Sequence, residues 1–197
     1  ENLMTTRRII DEFEEYAGRE IHITEFNTSY IPNNPIHDTN LNAAYIAQQL
    51  SRLGDMNESY SYWTFGDIFE ECGVPFTPFH GGFGLVADGC IPKPTFWIFN
   101  FYKKLRGDCV YRSDEVIVTL DSDGIYHGIM WNPCYGDKNG TINVCLDIPA
   151  EDEEKYCLVK KTVDENTCNP LRAWHELGEP AALTAEQKEI ILEVSGP

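Results

Sequence analysis

Ile21-His22-Ile23-Thr24-Glu25-Phe26-Asn27-Thr28-Ser29-Tyr30 is the stretch whose reading decides the fold. Side chains alternate faces along a strand, so Ile21, Ile23 and Glu25 are expected to point the same way. That sets a carboxylate on an apolar face near the strand's end. A charge there costs several kcal/mol unless something pairs with it or uses it. In a (β/α)8 barrel, inward-facing groups at the C-terminal ends of strands are where catalysis sits. The plainer alternative is an acid that ends an edge strand and meets solvent, since acids are mostly exposed.

Reading outward, Asp38 or Thr39 starts a helix on which Ala43, Ile46, Ala47, Leu50 and Leu53 share one face, and Gly54 stops it. Tyr60 to Phe65 is then a short aromatic strand bounded by Gly66-Asp67. Strand, helix and strand with this crossover form a βαβ unit, which implies a parallel sheet with its ligand site at the strands' C-terminal ends. Glu25 and Asp67 both fall there. Upstream, Asn2 or Thr5 caps a helix whose apolar face is Ile9, Ile10, Phe13, Tyr16 and Ala17, ended by Gly18. Downstream, a long loop from Ile68 to Pro94 holds Glu70, Glu71 and a Gly-rich turn, His80-Gly81-Gly82-Phe83-Gly84. The turn is no phosphate cradle, because it lacks both the Lys-Ser/Thr ending and the G-x-G-x-x-G order. His80 and Phe83 read better as loop packing than as pocket wall.

Thr95 caps a third helix, Phe96 to Arg106, apolar on nearly every side and so expected to be largely buried. Gly107-Asp108 closes it and marks the expected boundary between a first domain, 1–107, and a second, 108–197. Beyond it the period becomes alternating. Val116 to Leu120, Gly124 to Trp131, Thr141 to Leu146 and Lys155 to Thr162 read as strands between turn signals, which suggests an antiparallel β-sandwich. Thr184-Ala185-Glu186-Gln187 is a capping-box pattern that opens a last helix through Ile190, Ile191 and Val194.

Four blocks, ITEFNTSY, PIHDTN, YSYWTFGDIFEE and PFTPFHGGFGL, resemble in order, spacing and residue type the last third of the barrel in the family 39 glycoside hydrolases, best known as β-xylosidases. The resemblance covers Glu20 to about Leu105 well and the remainder more loosely. It implies an α/β plus all-β fold, the C-terminal part of a (β/α)8 TIM barrel followed by a β-sandwich. It also implies roles. Glu25 matches the catalytic nucleophile, Trp63 the floor of the sugar subsite and Glu70 an acid that hydrogen-bonds sugar hydroxyls. Tyr30, just past the nucleophile, is placed to donate to it or to line the pocket. The substrate expected from the resemblance is a xylo-oligosaccharide or an aryl xyloside. α-L-Iduronidase is the second activity within the same resemblance, but an iduronate carboxylate calls for basic residues, and Gly66 to Gly89 contains no Lys or Arg.

A retaining glycosidase needs two carboxyl groups about 5 to 5.5 Å apart, one to attack the anomeric carbon and one to protonate the leaving oxygen. The family acid lies in an Asn-Glu-Pro, and the sole Glu-Pro here, Glu179-Pro180, stands in the wrong context. Length agrees, since a (β/α)8 barrel takes about 250 residues and residues 1–107 supply two strands. The expectation is a portion of a longer enzyme, inactive by itself, with barrel edges open to self-association.

The chain has 197 residues, with 15 Lys plus Arg against 32 Asp plus Glu and a formal net charge of −17, which argues against nucleic acid or an anionic membrane surface as partner. A neutral sugar is compatible with it. No stretch approaches the roughly 20 apolar residues of a membrane span. Seven widely spaced cysteines, without C-x-x-C or metal-type pairing with histidine, read as reduced thiols of a cytoplasmic protein. No cofactor or metal is implied. A reading of another class takes 108–197 as a carbohydrate-binding module, with Tyr126, Trp131 and Tyr135 as candidate aromatics.

Overall fold

A computed structural model describes residues 2–68, 73, 75–133, 141–145, 147 and 155–197. The chain begins with α1 (Asn2–Asp11), shorter than its apolar pattern predicts because the helix gives way to turns at Asp11. Asp11 Oδ1 accepts both the Gly18 N–H at 3.0 Å and Arg7 at 3.2 Å, tying those turns back onto the helix.

β1 (His22–Phe26), α2 (Asn40–Leu50) and β2 (Ser59–Tyr62) form the expected βαβ unit, with β1 and β2 parallel and adjacent. Thr39 is the N-cap of α2, and a 3-10 turn over Pro35–Asp38 precedes it. α2 buries Ala43, Ile46 and Ala47, whereas Leu53 lies beyond the helix end and is exposed. β3 (Val86–Ala87) and β4 (Ile91–Pro92) make a short hairpin, which α3 (Pro94–Lys104) follows. The residue at the cap of α3 is Lys93, two positions before the expected Thr95. Ile98 is buried, but Phe96, Trp97, Phe99, Phe101 and Tyr102 are only half-buried, so the helix is less enclosed than its composition suggests.

β5 (Asp108–Arg112), β6 (Val116–Leu120) and β7 (Tyr126–Met130) form one antiparallel meander. The two further strands expected after it are absent among the described residues of 141–145 and 155–162. Their alternation has no sheet to serve: Leu158 is 89% and Val159 79% exposed. Leu146, which closes the first of those runs, lies outside the described residues. α4 (Pro170–Glu176) was not expected; Asn169 caps it by accepting the Arg172 N–H at 3.1 Å, and Pro170 takes a first-turn position that needs no donor. α5 (Ala185–Val194) carries the predicted capping box, with Thr184 and Gln187 bonding reciprocally at 3.0 and 3.2 Å.

Two apolar clusters hold these pieces together. One joins Ala43 and Ala47 of α2, Ile98 of α3, Ile129 of β7 and Trp131. The other joins Phe79, Ala87 and Ile91 to Ala173, Trp174 and Ile191 of the last two helices. Both draw residues from either side of Gly107. Trp131 is 5% exposed and donates its indole N–H to the Asp114 carbonyl at 2.8 Å, so it is a core tryptophan and not a sugar platform. Tyr126 is half-buried, and Tyr135 lies outside the described residues.

Candidate active site

The register of β1 on β2 decides where Glu25 points. His22 pairs with Ser59, Ile23 with Tyr60 and Phe26 with Tyr62, so three steps along β1 match two along β2. Thr24 and Glu25 together therefore oppose Ser61, a β-bulge. Phe26 packs on Tyr60 and Tyr62 at ring-centroid distances of 4.9 and 5.9 Å. Tyr62 in turn meets Phe99 of α3 at 5.5 Å and hydrogen-bonds Asn42 of α2 at 3.2 Å. Ile23, Phe26, Tyr60 and Tyr62 thus face the helices. His22 and Ser59, joined by a 2.9 Å hydrogen bond, lie on the other side.

Plain alternation put Glu25 with Ile23, and the bulge overturns that. Glu25 is exposed, on the side away from the helices, and no apolar face has to accommodate its charge. In a (β/α)8 barrel the side away from the helices is the interior, and β-bulges are common beside active sites, where they re-aim a side chain.

Trp63 follows β2 directly and is half-buried. Its backbone N–H donates to the Phe26 carbonyl at 3.0 Å, which brings the ends of the two strands side by side. It also lines a cavity of about 520 Å³ with Phe65, Ile68, Val86 and Cys90. Tyr30, four residues beyond β1, is 91% exposed. Glu70 and its neighbour Glu71 lie outside the described residues. Glu179 follows α4, bound by His175 at 2.8 Å, and takes no part in the β1–β2 surface.

Behind the strand ends stands a buried polar assembly that sequence reasoning missed. Lys93, fully enclosed, places its ammonium 2.6 Å from Asp38, 2.6 Å from Asp67 and 2.9 Å from the Gly82 carbonyl. The free oxygen of Asp38 accepts the Gly81 N–H and that of Asp67 the Gly84 N–H, each at 2.6 Å. Burial pushes the Asp67 carboxyl above the usual carboxylate range, against the pull of the Lys93 ammonium. Asp67, expected at the ligand end of its strand, is thereby a structural partner of Lys93. Gly81 and Gly84 are required here, since a Cβ would stand 2.5 Å from the Asn34 carbonyl carbon at one and from the Asp67 nitrogen at the other.

The buried His37 ring faces two carbonyls, Gly81 O at 2.8 Å and Ser29 O at 3.2 Å, and packs against Phe83 at 4.9 Å. Asn42 bonds Thr95 at 2.9 Å and also takes the Thr28 hydroxyl. Burial pushes the Tyr62 hydroxyl above the ordinary tyrosine range, with Asn42 and Asn27 opposing the shift. The signal for Lys93 was in plain view: a lone lysine inside Ile91-Pro92-Lys93-Pro94-Thr95-Phe96, where a solvated side chain has no place.

The sequence profile of glycosyl hydrolases family 39 matches residues 1–197. The β-xylosidase of Geobacillus stearothermophilus is 45% identical over 181 residues, taking in 91% of this chain and 36% of that enzyme. The β-xylosidase of Caldicellulosiruptor saccharolyticus is 34% identical over 205 aligned positions, 95% of this chain and 40% of the other. Among solved structures, the monomeric β-xylosidase of Caulobacter crescentus CB15 covers 98% of this chain and 42% of its own length, with a TM-score of 0.76 and 27% identity. The chain spans about two fifths of the length of the curated relatives it matches. With strand ends, bulge and loop assembly arranged on a fold that follows TIM-barrel glycosidases along almost its whole course, this chain belongs to glycosyl hydrolases family 39.

Proposed function

We propose that this chain forms the nucleophile-bearing part of a retaining β-xylosidase, which hydrolyses β-1,4-xylosides and xylo-oligosaccharides by double displacement. Glu25 attacks the anomeric carbon and expels the leaving group, forming a xylosyl ester. Water then cleaves the ester, with a second carboxyl group acting first as acid and then as base. The observation that carries this reading is the bulge that turns Glu25 onto the helix-free face of β1, one residue before the strand's end, where the Phe26 carbonyl accepts the Trp63 N–H. Trp63 offers a flat apolar face to the sugar ring, and Tyr30 and Glu70 are assigned to its hydroxyls or to the nucleophile.

In this reading β1 and β2 are the last two strands of the barrel, and 108–197 is an accessory sandwich to which the β5–β6–β7 sheet contributes one layer. Asn-Glu-Pro, the family's setting for the acid, does not occur in these 197 residues. The chain by itself is therefore inactive, and its strand edges are open to association.

The test is release of the aryl group from an aryl β-xyloside. The isolated chain releases none. In a full-length glycosidase carrying these residues, Glu25→Gly abolishes turnover, and added azide restores it with formation of the α-xylosyl azide. Turnover by the isolated chain, or full activity of Glu25→Gly, contradicts the proposal.

A further inference from the structure

We propose that Lys93, with Asp38 and Asp67, is a positioning residue for the nucleophile: the buried trio fixes the Gly81–Gly84 turn, and the turn holds the ends of β1 and β2 in register. The inference rests on the assignment of Glu25 above.

The path is continuous in hydrogen bonds. Lys93 holds the Gly82 carbonyl at 2.9 Å, while Asp38 and Asp67 hold the N–H groups of Gly81 and Gly84 at 2.6 Å. Phe83, between those anchors, has one carbonyl and two donors on it: the Thr64 N–H at 3.1 Å and the Asn27 amide at 3.3 Å. Asn27 lies two residues past Glu25 and also donates to the Trp63 carbonyl at 2.6 Å. The same amide group thus ties the end of β1, the end of β2 and the turn.

Stability alone does not account for the trio. Replacing a buried ion cluster with apolar residues of similar volume is often neutral or stabilising. What three charges locked together provide is geometry: the Lys93 ammonium is ion-paired at 2.6 Å with one oxygen of each carboxylate and hydrogen-bonded to the Gly82 carbonyl, while the second oxygen of each carboxylate accepts a glycine N–H. A nucleophile displaced by about 1 Å loses on the order of a hundredfold in rate, so a rigid turn behind β1 matters to the reaction itself.

The test uses a full-length family 39 enzyme carrying this chain, with Lys93→Met, Asn27→Ala and the double variant assayed on an aryl β-xyloside, normalised to folded protein. The charge-balanced Lys93→Met/Asp38→Asn/Asp67→Asn variant takes the place of Lys93→Met if that fails to fold. Asn27→Ala touches no buried charge and tests the path in either case. The expected result is a kcat lowered about tenfold to a hundredfold, KM changed less than about threefold, and a double variant no slower than the slower single one. Folded variants with unchanged kcat, or losses that multiply in the double variant, overturn the inference. Glu25→Gly run alongside separates the two claims: if it retains activity, the nucleophile assignment fails; if it is dead while the Lys93 and Asn27 variants are not slowed, only the positioning role fails.

Discussion

Ile23 and Phe26 lie three residues apart on β1 yet face the same two helices, because Thr24 and Glu25 share a single partner position on β2. Regular alternation would put residues three apart on opposite faces. The extra residue is what allows the strand to keep Ile23 and Phe26 both on the helix side, Phe26 packed on Tyr60 and Tyr62, and still present Glu25 on the other side.

Deleting Thr24 removes the bulge and leaves Glu25 alone opposite Ser61, still on the helix-free face but with its carboxyl re-aimed by the regular pleat. The expected outcome is a fall in xyloside turnover of about a hundredfold in the full-length enzyme, from a nucleophile displaced by on the order of 1 Å, with a much smaller change in stability because no charge is moved among the aromatics. Kinetics and urea denaturation on the same preparation check both parts.

Trp63→Ala removes the aromatic face proposed to floor the sugar subsite. Stacking contacts of this kind contribute up to about 1.5 kcal/mol beyond area burial, so kcat/KM for an aryl xyloside is expected to fall about tenfold. Steady-state kinetics on the full-length enzyme measure it.

Gly81→Ala and Gly84→Ala force a Cβ to within 2.5 Å of backbone atoms. Overpacking against atoms that cannot move away costs about 3 kcal/mol, and each variant is expected to lower the urea midpoint without changing the slope. At Gly81 the left-handed backbone, φ +77°, adds to the penalty.

Alkaline stability follows from Cys168 and Tyr62. Burial, with Asp164 adding to it, pushes the Cys168 thiol up to about 12, against about 8.5 in an unfolded chain. A group raised on folding keeps its proton when the unfolded chain has lost it, so its stabilisation is whole below about pH 8.5 and drains away as the pH rises toward 12. Tyr62, also raised, acts in the same direction at higher pH. Melting temperatures between about pH 8 and 11 are expected to fall, and Cys168→Ala to flatten the first part of that fall.

The βαβ unit and the last helix were legible because their signals are local: helical spacing of Ala43, Ile46 and Ala47, and Thr184 with Gln187; the end of α2 was not, since it stops at Leu50, four residues short of Gly54. Glu25 was legible as a candidate, but its direction was not, because a bulge depends on the partner strand. The trio of Lys93, Asp38 and Asp67 joins residues 26 to 55 positions apart, so although the setting of Lys93 hints at burial, nothing local names its partners. The runs at 141–145 and 155–162 misled for the opposite reason. Their alternation is real, but a strand needs a neighbour, and exposed Leu158 and Val159 have none to pack on in a sheet.

The most direct measurement is trapping of the glycosyl ester. A full-length enzyme carrying this chain is treated with an activated 2-deoxy-2-fluoro-β-xyloside, which forms the ester quickly and hydrolyses it slowly, and is then digested for peptide mass mapping. The account predicts a fluoroxylosyl group on the peptide spanning Ile21 to Tyr30, with fragmentation placing it on Glu25. An inactivated enzyme that carries the label on any other carboxylate contradicts it.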